Sequence, residues 1–230
     1  PTPPEPGLAY LQYTSGSTAA PKGVRIAHRH LLHQLRDFDL GYGHPGGTIV
    51  SWLPATHDLG LVYGRLMGLY AGIPTVALAP AAFVQQPRRW VEALTHFRGT
   101  HSPTPDFGFA LTARRVKDTT GLDLSSVRLL LNGAEPIRRA SETAFVERFA
   151  PVGLDPHAIT HAMGMSEATA KIVTEPPGRL ARFLTVDPRA LTEGRVVVAP
   201  TGTEVASNGS THLDTVARIV DPTTGTDLGE

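Results

Sequence analysis

Short apolar runs alternate with longer segments of helical periodicity along this chain, and this alternation constrains its fold most. The apolar runs predict strands at residues 8–13, 48–53, 75–78, 99–102 and 127–131. The helical segments lie at residues 26–38, 59–70, 87–97, 109–116 and 141–149. We expect Gly72 to end the second helix and Ser141 to cap the last. Strands and helices alternating at this spacing predict an α/β fold with a mainly parallel sheet and flanking helices.

A small, hydroxyl-rich loop follows the first predicted strand and precedes the first predicted helix. It reads Tyr13-Thr14-Ser15-Gly16-Ser17-Thr18-Ala19-Ala20-Pro21-Lys22-Gly23-Val24. Glycine lets backbone N–H groups approach a ligand closely, hydroxyls donate hydrogen bonds, and Lys22 adds a positive charge. The loop therefore predicts a polyphosphate site, although it lacks the Gly-Lys-Ser/Thr triplet of a Walker A loop. A turn that binds nothing is the alternative from the loop alone.

Composition excludes several classes of protein. Lys and Arg total 21, as do Asp and Glu, so the net charge is zero and a nucleic-acid partner is not expected. Cysteine is absent, which leaves no disulfide framework and is compatible with a cytoplasmic location. The most apolar stretch, residues 61–84, is interrupted by Arg65, Pro74 and Pro80, so no membrane span is expected.

A second candidate site follows the predicted strand at residues 48–53. The sequence there reads Leu53-Pro54-Ala55-Thr56-His57-Asp58-Leu59-Gly60-Leu61. Open α/β sheets bind ligands at the carboxyl ends of their strands, which is where this pattern puts His57 and Asp58. Asp58 can also cap the helix that follows, and the two roles are compatible.

The third candidate site is the segment Met163-Gly164-Met165-Ser166-Glu167-Ala168-Thr169. Glu167 follows a glycine turn and could bind Mg²⁺, which favours one or two carboxylates together with phosphate oxygens. The same segment is close to the nucleophile elbow of a hydrolase. It lacks the second glycine of that motif, and no HGGG-type segment accompanies it.

The histidines offer two weak metal patterns. His28, His30 and His33 fall on the first predicted helix without an acidic or Cys partner nearby, so we expect them on its polar face or at its edge. His157 and His161 are four residues apart, but the intervening Glu of a His-Glu-x-x-His site is missing.

The loop at residues 13–24 resembles the core motif of the adenylate-forming superfamily, which includes acyl-CoA synthetases, luciferases and nonribosomal adenylation domains. That motif runs Tyr-Thr-Ser-Gly-Ser-Thr-Gly-x-Pro-Lys-Gly-Val, and this chain departs from it only at Ala19, where the family usually has Gly.

A finer resemblance, to the fatty acyl-AMP ligases, covers nearly the whole chain. Residues 51–61 are similar to Ser-Trp-Leu-Pro-x-x-His-Asp-Met-Gly-Leu, and residues 79–83 are similar to Ser-Pro-Ala-Ala-Phe. Asn132-Gly133-Ala134-Glu135-Pro136 looks the same as the corresponding segment of these ligases. Residues 182–198 resemble the insertion that separates them from acyl-CoA ligases.

The resemblance implies the fold of an incomplete N-terminal adenylation domain and a role for each motif. Thr18, Lys22 and Glu167 would be catalytic, with Glu167 as the Mg²⁺ ligand. His57 and Asp58 would lie beside the acyl substrate. The implied ATP- and AMP-binding residues are Thr14, Ser15, Gly16, Ser17, Thr18, Lys22, Asn132, Gly133, Ala134, Glu135, Met163, Gly164, Met165 and Ser166.

The resemblance also implies a reaction and its partners. A fatty carboxylate would attack the α-phosphate of Mg-ATP and release pyrophosphate. The acyl-adenylate would then pass to the phosphopantetheine thiol of an acyl carrier protein, and the insertion would disfavour coenzyme A.

The chain departs from the family pattern in ways that make further predictions. Met163 stands where the family has a Tyr whose ring lies against adenine. The ribose-binding Asp motif and the C-terminal domain with its catalytic Lys have no counterpart here. We therefore expect a piece of a larger enzyme that needs the remainder, including a C-terminal domain, to complete adenylation.

The texture of the sequence changes after about residue 174. We expect an α/β core at 1–174, the family-type insertion and a loop at 175–212, and the start of a β-subdomain at 213–230. Within these later parts, residues 183–190 and 194–198 look extended or short, and residues 216–220 predict a strand.

Two other hypotheses stay open at the level of the sequence. An acyl-CoA ligase, or an amino- or aryl-acid adenylation domain of an assembly line, would use the same motifs. A degenerate, non-catalytic nucleotide-binding domain is the other, since Ala19 and Met163 depart from the family pattern.

Overall fold

The structure is a computed structural model that describes residues 7–14 and 22–228. Six strands form its central sheet: β3 (Ile49–Ser51), β4 (Thr75–Ala77), β5 (His101–Thr104), β6 (Leu129–Asn132), β7 (Ile159–Gly164) and β8 (Lys171–Thr174). Their order is β4-β3-β5-β6-β7-β8. All neighbours pair in parallel except β7 and β8, which are antiparallel. The predicted α/β class with a mainly parallel sheet is confirmed.

Helices fill the connections between these strands. They are α1 (His28–Tyr42), α2 (Met67–Ala71), α3 (Pro80–Gln85), α4 (Arg88–His96), α5 (Asp106–Arg115), α6 (Arg139–Phe149) and α7 (Pro188–Thr192). A π-helix, Leu59–Leu66, leads directly into α2, and short 3₁₀ turns occupy Ala150–Val152, Pro156–Ala158 and Ser166–Ala168. Within the described ranges, no helix is both long and apolar enough to cross a membrane.

Two apolar clusters cover opposite faces of the sheet. Successive side chains of a strand point to opposite faces, and on β6 Leu130 belongs to one cluster while Leu129 and Leu131 belong to the other. The first cluster contains the fully buried Trp90 and the second the fully buried Tyr63. Burying each such side chain contributes about 1.5–3 kcal/mol, so both layers hold the sheet in place.

The hydroxyl-rich loop connects two strands, not a strand and a helix as we predicted. β1 (Leu8–Thr14) and β2 (Lys22–Ala27) form an antiparallel hairpin in which Thr14 pairs with Lys22. Helix α1 begins at His28, immediately after β2. The prediction placed Val24 in the loop and began the helical segment at residue 26, although Val24 and Ile26 alternate with polar residues as a strand does.

The predicted helix at residues 59–70 is present, but its first two turns have π geometry. Asp58 caps it through its carboxylate, since Oδ1 accepts from the backbone N–H of Leu59 at 2.6 Å. A Cβ on Gly60 would lie 2.1 Å from the carbonyl oxygen of Pro54, so only glycine lets the helix start this close to the preceding turn. Gly72 ends α2 in the left-handed conformation at φ 66°, as predicted.

Three local predictions are wrong. Ser141 does not cap α6, which begins at Arg139; its hydroxyl instead donates to Asp106 Oδ2 at 2.8 Å. The helical spacing predicts Phe97 on the same face as Trp90 and Leu94, but Phe97 follows α4, is 48% exposed and does not share the buried face of that helix. Residues 216–220 form no strand; Val220 makes an isolated bridge to Asp227.

A second antiparallel hairpin packs beside the carboxyl end of the sheet. It consists of β9 (Phe183–Val186) and β10 (Thr203–Ala206), with α7 in the long connection between them. The prediction that residues 183–190 are extended or short is met by β9 and α7. Residues 200–210, which fall within the predicted insertion and loop at 175–212, contain β10.

Candidate active site

The predicted site segments leave the sheet at one edge. β3, β5, β6 and β7 run in parallel, so their carboxyl ends face the same side. The segments that follow these ends are residues 52–58, 105–107, 133–138 and 165–170. The chain passes from β3 to β4 on one side and then returns to β5 on the other side of β3. This change of direction makes a crevice at the carboxyl ends of β3 and β5, where ligands bind in open α/β sheets.

Two of the predicted nucleotide segments line one cavity of about 440 Å³. Ala134 and Glu135 contribute from the loop after β6, and Met163 and Gly164 contribute from the end of β7. The β9–β10 hairpin and the residues after it contribute a third wall. Four residues that the sequence did not predict form this wall: Glu204, Val205, Ala206 and Asn208. We call this cavity the β6–β7 pocket.

Close backbone approach shapes the floor of this pocket. A Cβ on Gly133 would lie 2.5 Å from the carbonyl oxygen of Ala162, and one on Gly164 would lie 1.7 Å from that of Ala170. Ala134 adopts a left-handed backbone conformation at φ 69°, which costs a non-glycine residue about 1–2 kcal/mol. Strain of this kind is typical of segments whose shape serves a site.

Side chains hold the loop after β6 from below. Asn132 is fully buried, and its Nδ2 donates to Glu142 Oε1 at 2.8 Å. Its Oδ1 is buried without a hydrogen-bond partner among the described residues. Glu135 accepts the backbone N–H of Phe107 at 2.6 Å, so its carboxylate ties the loop to the start of α5.

A hydrogen bond joins the segment after β3 to the segment after β7. The hydroxyl of Ser166 donates to Asp58 Oδ2 at 2.7 Å, and His57 Nδ1 lies 2.9 Å from Asp58 Oδ1. The structure thus brings together a predicted acyl-site residue and a predicted nucleotide-site residue. Because the Ser166 hydroxyl donates to Asp58, it has no histidine base among the described residues, and this arrangement disfavours a hydrolase nucleophile.

The same contacts set the charges of this pair. Burial alone would raise the pKa of Asp58, but hydrogen bonds from His57, Ser166 and the Leu59 backbone hold that pKa below its usual range. The bond to Asp58 raises the pKa of His57, in spite of partial burial. His57 is about half exposed, and its imidazole is available to a negatively charged substrate group.

The β1–β2 hairpin lies against this edge of the sheet. The side chain of Gln12 donates to the carbonyl oxygen of Thr56 at 2.8 Å, next to His57. β1 also lies beside the Ser166–Ala168 turn that carries Glu167. Thr14 and Lys22 stand at the two ends of the loop, whereas the predicted phosphate-binding residues Ser15, Gly16, Ser17 and Thr18 fall outside the described residues.

Glu167 is exposed and lines a second cavity, of about 490 Å³, with Lys171 and residues of α1. Its carboxylate has no hydrogen-bond or ion-pair partner in the described part of the chain. One free carboxylate beside β1, whose following loop is predicted to bind phosphates, fits the ligand preference of Mg²⁺. Among the described residues, no group of three or more His, Asp or Glu side chains could hold a metal by itself.

Sequence reasoning missed the buried acids and histidine behind the pocket. Asp106, Glu142 and His161 are buried, and each bonds to an element that shapes the site. The strand that carries His161, β7, was not predicted, so no sequence pattern indicated that this histidine is buried.

The comparisons with known proteins give this arrangement its family. The model of the AMP-binding enzyme family matches residues 1–230. The chain therefore belongs to the AMP-binding enzymes. Its mainly parallel sheet with flanking helices is the fold of adenylate-forming enzymes.

Named relatives and a solved structure agree with this assignment. FadD25 of Mycobacterium tuberculosis, named as a candidate fatty-acid–CoA ligase, is 38% identical over 96% of this chain and 40% of its own length. The medium-chain-fatty-acid–[acyl-carrier-protein] ligase JamA of Moorena producens is 41% identical over 83% of this chain and 33% of its own length. The chain therefore spans about 40% of the length of FadD25 and less of JamA.

The crystal structure of a fatty acyl-adenylate ligase from Legionella pneumophila, in complex with acyl adenylate and pyrophosphate, superimposes with a TM-score of 0.89. It is 34% identical and covers 94% of this chain and 39% of its own. The resemblance to fatty acyl-AMP ligases drawn from the sequence is confirmed.

Proposed function

We propose that this chain forms the nucleotide- and acyl-binding core of an enzyme that activates a fatty acid with ATP. The observation that carries the proposal is the Ser166–Asp58 hydrogen bond, which fixes the segment beside the β6–β7 pocket against the segment that bears His57. The similarity to a fatty acyl-adenylate ligase with bound acyl adenylate supports the same chemistry.

In the proposed reaction a carboxylate oxygen of the acid bonds to the α-phosphorus of ATP. The bond from that phosphorus to the bridging oxygen breaks, and pyrophosphate leaves with the electron pair. The chain's task is to hold the carboxylate in line and to stabilise the developing negative charge. His57, with its raised pKa, is suited to the acyl carboxylate, and the loops after β6 and β7 are suited to the adenine.

We assign the ATP phosphates to the loop of the β1–β2 hairpin, with Thr14, Thr18 and Lys22 as contacts. We assign Mg²⁺ to Glu167. A bound Mg²⁺ would neutralise phosphate charge during the reaction. The free carboxylate of Glu167, beside β1, supports this assignment. Met163 would pack against adenine in place of an aromatic ring, because its thioether is polarisable and flexible.

The acyl acceptor we propose is the phosphopantetheine thiol of an acyl carrier protein, in the cytoplasm. The name of JamA, an acyl-carrier-protein ligase, favours this acceptor, whereas the name of FadD25 favours coenzyme A as the alternative. We also propose that residues 175–212 form the family-type insertion, beyond an α/β core at 1–174 and before a β-subdomain that starts at 213. Completion of the reaction is expected to need a C-terminal domain as well.

The test uses the full-length natural polypeptide with Mg-ATP and fatty acids of graded chain length, followed by mass spectrometry for the acyl-adenylate. Glu167→Ala should abolish the adenylate, while Glu147→Ala, which removes an exposed carboxylate from α6, should leave it unchanged. Supplying holo-carrier protein or coenzyme A then identifies the acceptor. ATP binding with no adenylate from any carboxylic acid would contradict the proposal and favour a non-catalytic nucleotide-binding domain.

A further inference from the structure

A fully buried histidine lies directly behind the β6–β7 pocket. His161 is the third residue of β7, and its ring is 0% exposed. Its Nδ1 lies 2.8 Å from the carbonyl oxygen of Ser207, and its Nε2 lies 2.9 Å from Glu142 Oε1. Both partners are acceptors, since a carbonyl has no proton and the ionised Glu142 carboxylate accepts at Oε1 from Asn132 Nδ2 as well. Both ring nitrogens of His161 must therefore donate.

Only the imidazolium form of histidine donates from both nitrogens. The groups that face or surround His161 favour this form. Glu142 reaches it from α6 and Glu175 lies beyond β8, while Arg182 is bound to Glu175 and Arg139 lies over the Phe183 ring that packs on His161. Burial opposes the charge, but Glu142, the Ser207 carbonyl and Glu175 outweigh it and raise the pKa of His161 above its ordinary 6.5.

The two partners of His161 belong to opposite walls of the pocket. Glu142 holds Asn132, which anchors the loop that continues into Ala134 and Glu135. Ser207 lies between Ala206 and Asn208, which line the pocket from the hairpin side. His161 thus donates to both walls of the pocket: to Glu142, which holds the loop after β6, and to Ser207 on the wall formed by the β9–β10 hairpin.

We propose that protonated His161 is a positioning residue that holds the hairpin wall and the loop after β6 at the spacing the nucleotide needs. Loss of its proton removes one of the two bonds and leaves a nitrogen lone pair facing an oxygen. The pocket then loosens, so nucleotide affinity falls as pH rises through the titration of His161. The inference rests on the proposed function only in taking a nucleotide as the ligand of the pocket.

The first test measures the charge of His161 directly. Histidine ring signals of the full-length natural polypeptide, labelled with ¹⁵N and assigned by substitution, are followed from about pH 5 to about pH 9, the range that spans histidine titration. We expect both ring nitrogens of His161 to carry protons at pH 6.5 and its titration to lie above that of a free histidine. A neutral ring at pH 6.5 would overturn the proposal whatever the enzyme's activity.

The second test measures AMP dissociation over the same pH range in wild type, His161→Gln and His157→Gln. His157 is an exposed histidine four residues earlier, so its variant controls for loss of a histidine. AMP has a titrating phosphate of its own, but this cancels in the ratio of wild-type to variant affinity. We expect His161→Gln to bind AMP about tenfold more weakly below the titration of His161, with the difference shrinking above it.

A Glu142→Gln variant keeps the test decisive if His161→Gln does not fold. It preserves the size of the side chain and removes the negative charge, so the titration of His161 should move to lower pH, and the pH at which AMP affinity falls should move with it. A ratio that stays constant with pH would contradict the positioning role. Failure of wild type to form any acyl-adenylate, with His161 charged and AMP affinity following its titration, would instead contradict the proposed reaction alone.

Discussion

Ser166 donates its hydroxyl hydrogen to Asp58 Oδ2 at 2.7 Å across 108 residues of sequence. The bond connects the turn that carries Glu167 to the turn that carries His57. Its donor is half-buried and its acceptor is buried, so water competes with it only in part. Two segments that sequence motifs treat separately therefore form one unit at the carboxyl edge of the sheet.

Replacing Ser166 with Ala should reduce acyl-adenylate formation by about tenfold, which corresponds to about 1.4 kcal/mol of transition-state stabilisation. The reason is that Asp58 loses a donor and the two turns lose their link. Ser126→Ala is the matched control, because that hydroxyl donates to the Gly99 carbonyl at the opposite edge of the sheet. An equal loss of activity in both variants would show that the Ser166–Asp58 bond has no special role.

The class of the fold was predictable from the sequence because its strands and helices have strong, local patterns. The 3.6-residue period at residues 87–97 and the apolar run at 127–131 each indicated one element, found as α4 and β6. The motifs also predicted which strand ends carry chemistry. In a parallel sheet these ends share an edge, so topology alone brings His57, Ala134 and Gly164 to one side.

Contacts between distant segments were not predictable in the same way. The pairing of Thr203 with Val186 in the second hairpin depends on register across a long connection, and its polar sequence gave no periodic signal. Ser141 was predicted to cap a helix, but its hydroxyl donates to Asp106, which lies on another helix, α5. The role that we propose for His161 depends on two acceptors, Glu142 on α6 and Ser207 after β10, which lie far from it in the sequence.

Asp58→Asn should lower the pKa of His57 toward 6.5, because the bond to Asp58 is what raises it. In the wild type, the raised pKa of His57 makes its contribution to stability complete below pH 6.5 and lost as pH rises through the folded-state value. The lowered pKa of Asp58 makes its contribution complete above pH 3.8 and lost as pH falls through the folded-state value. The pair therefore stabilises the fold most between these limits. NMR titration of the His57 ring in wild type and in Asp58→Asn checks the expected fall in the pKa of His57, and an unchanged titration in the variant would contradict it.

Met163→Tyr should tighten AMP binding by about fivefold, since aromatic stacking on a base is worth about 1–3 kcal/mol and, in our proposal, Met163 supplies part of that contact. Met163 is 45% exposed and lines the β6–β7 pocket, so a ring has room to lie along it. Met163→Leu adds no ring and should bring no gain. Calorimetric titration with AMP distinguishes the three proteins, and a weaker affinity in the Tyr variant would mean that adenine does not contact this position.

Two substitutions at the floor of the pocket should have opposite effects on stability. Gly164→Ala puts a Cβ 1.7 Å from the Ala170 carbonyl oxygen, so the backbone must move, and we expect a loss of about 3 kcal/mol or more. Ala134→Gly removes a side chain from a left-handed conformation at φ 69°, so we expect a gain of up to about 1 kcal/mol. Chemical denaturation of both variants gives the signs. A stable Gly164→Ala protein with normal AMP affinity would contradict the close approach.

Lys171 and Asp37 form a buried ion pair at 3.0 Å, with side chains 2% and 3% exposed. Lys171 also lies over the rings of Phe38 and Tyr42, and burial lowers its pKa in spite of the attraction of Asp37. Removing one partner leaves the other charged in the interior, so Lys171→Met should cost about 3–5 kcal/mol of unfolding free energy.

The double variant Lys171→Met/Asp37→Asn should be less destabilised than Lys171→Met alone, because no uncompensated charge remains. Glu92→Gln is the control for an exposed pair: Glu92 lies 2.7 Å from Arg88 on the surface of α4, and the loss there should be at most about 1 kcal/mol. Urea unfolding of the full-length natural polypeptide, these three variants and the single variant Asp37→Asn tests the comparison. If the double variant were as unstable as the sum of its single variants, the two charges would not be coupled, and the fold would depend on Lys171 for its packing against Phe38 and Tyr42 alone.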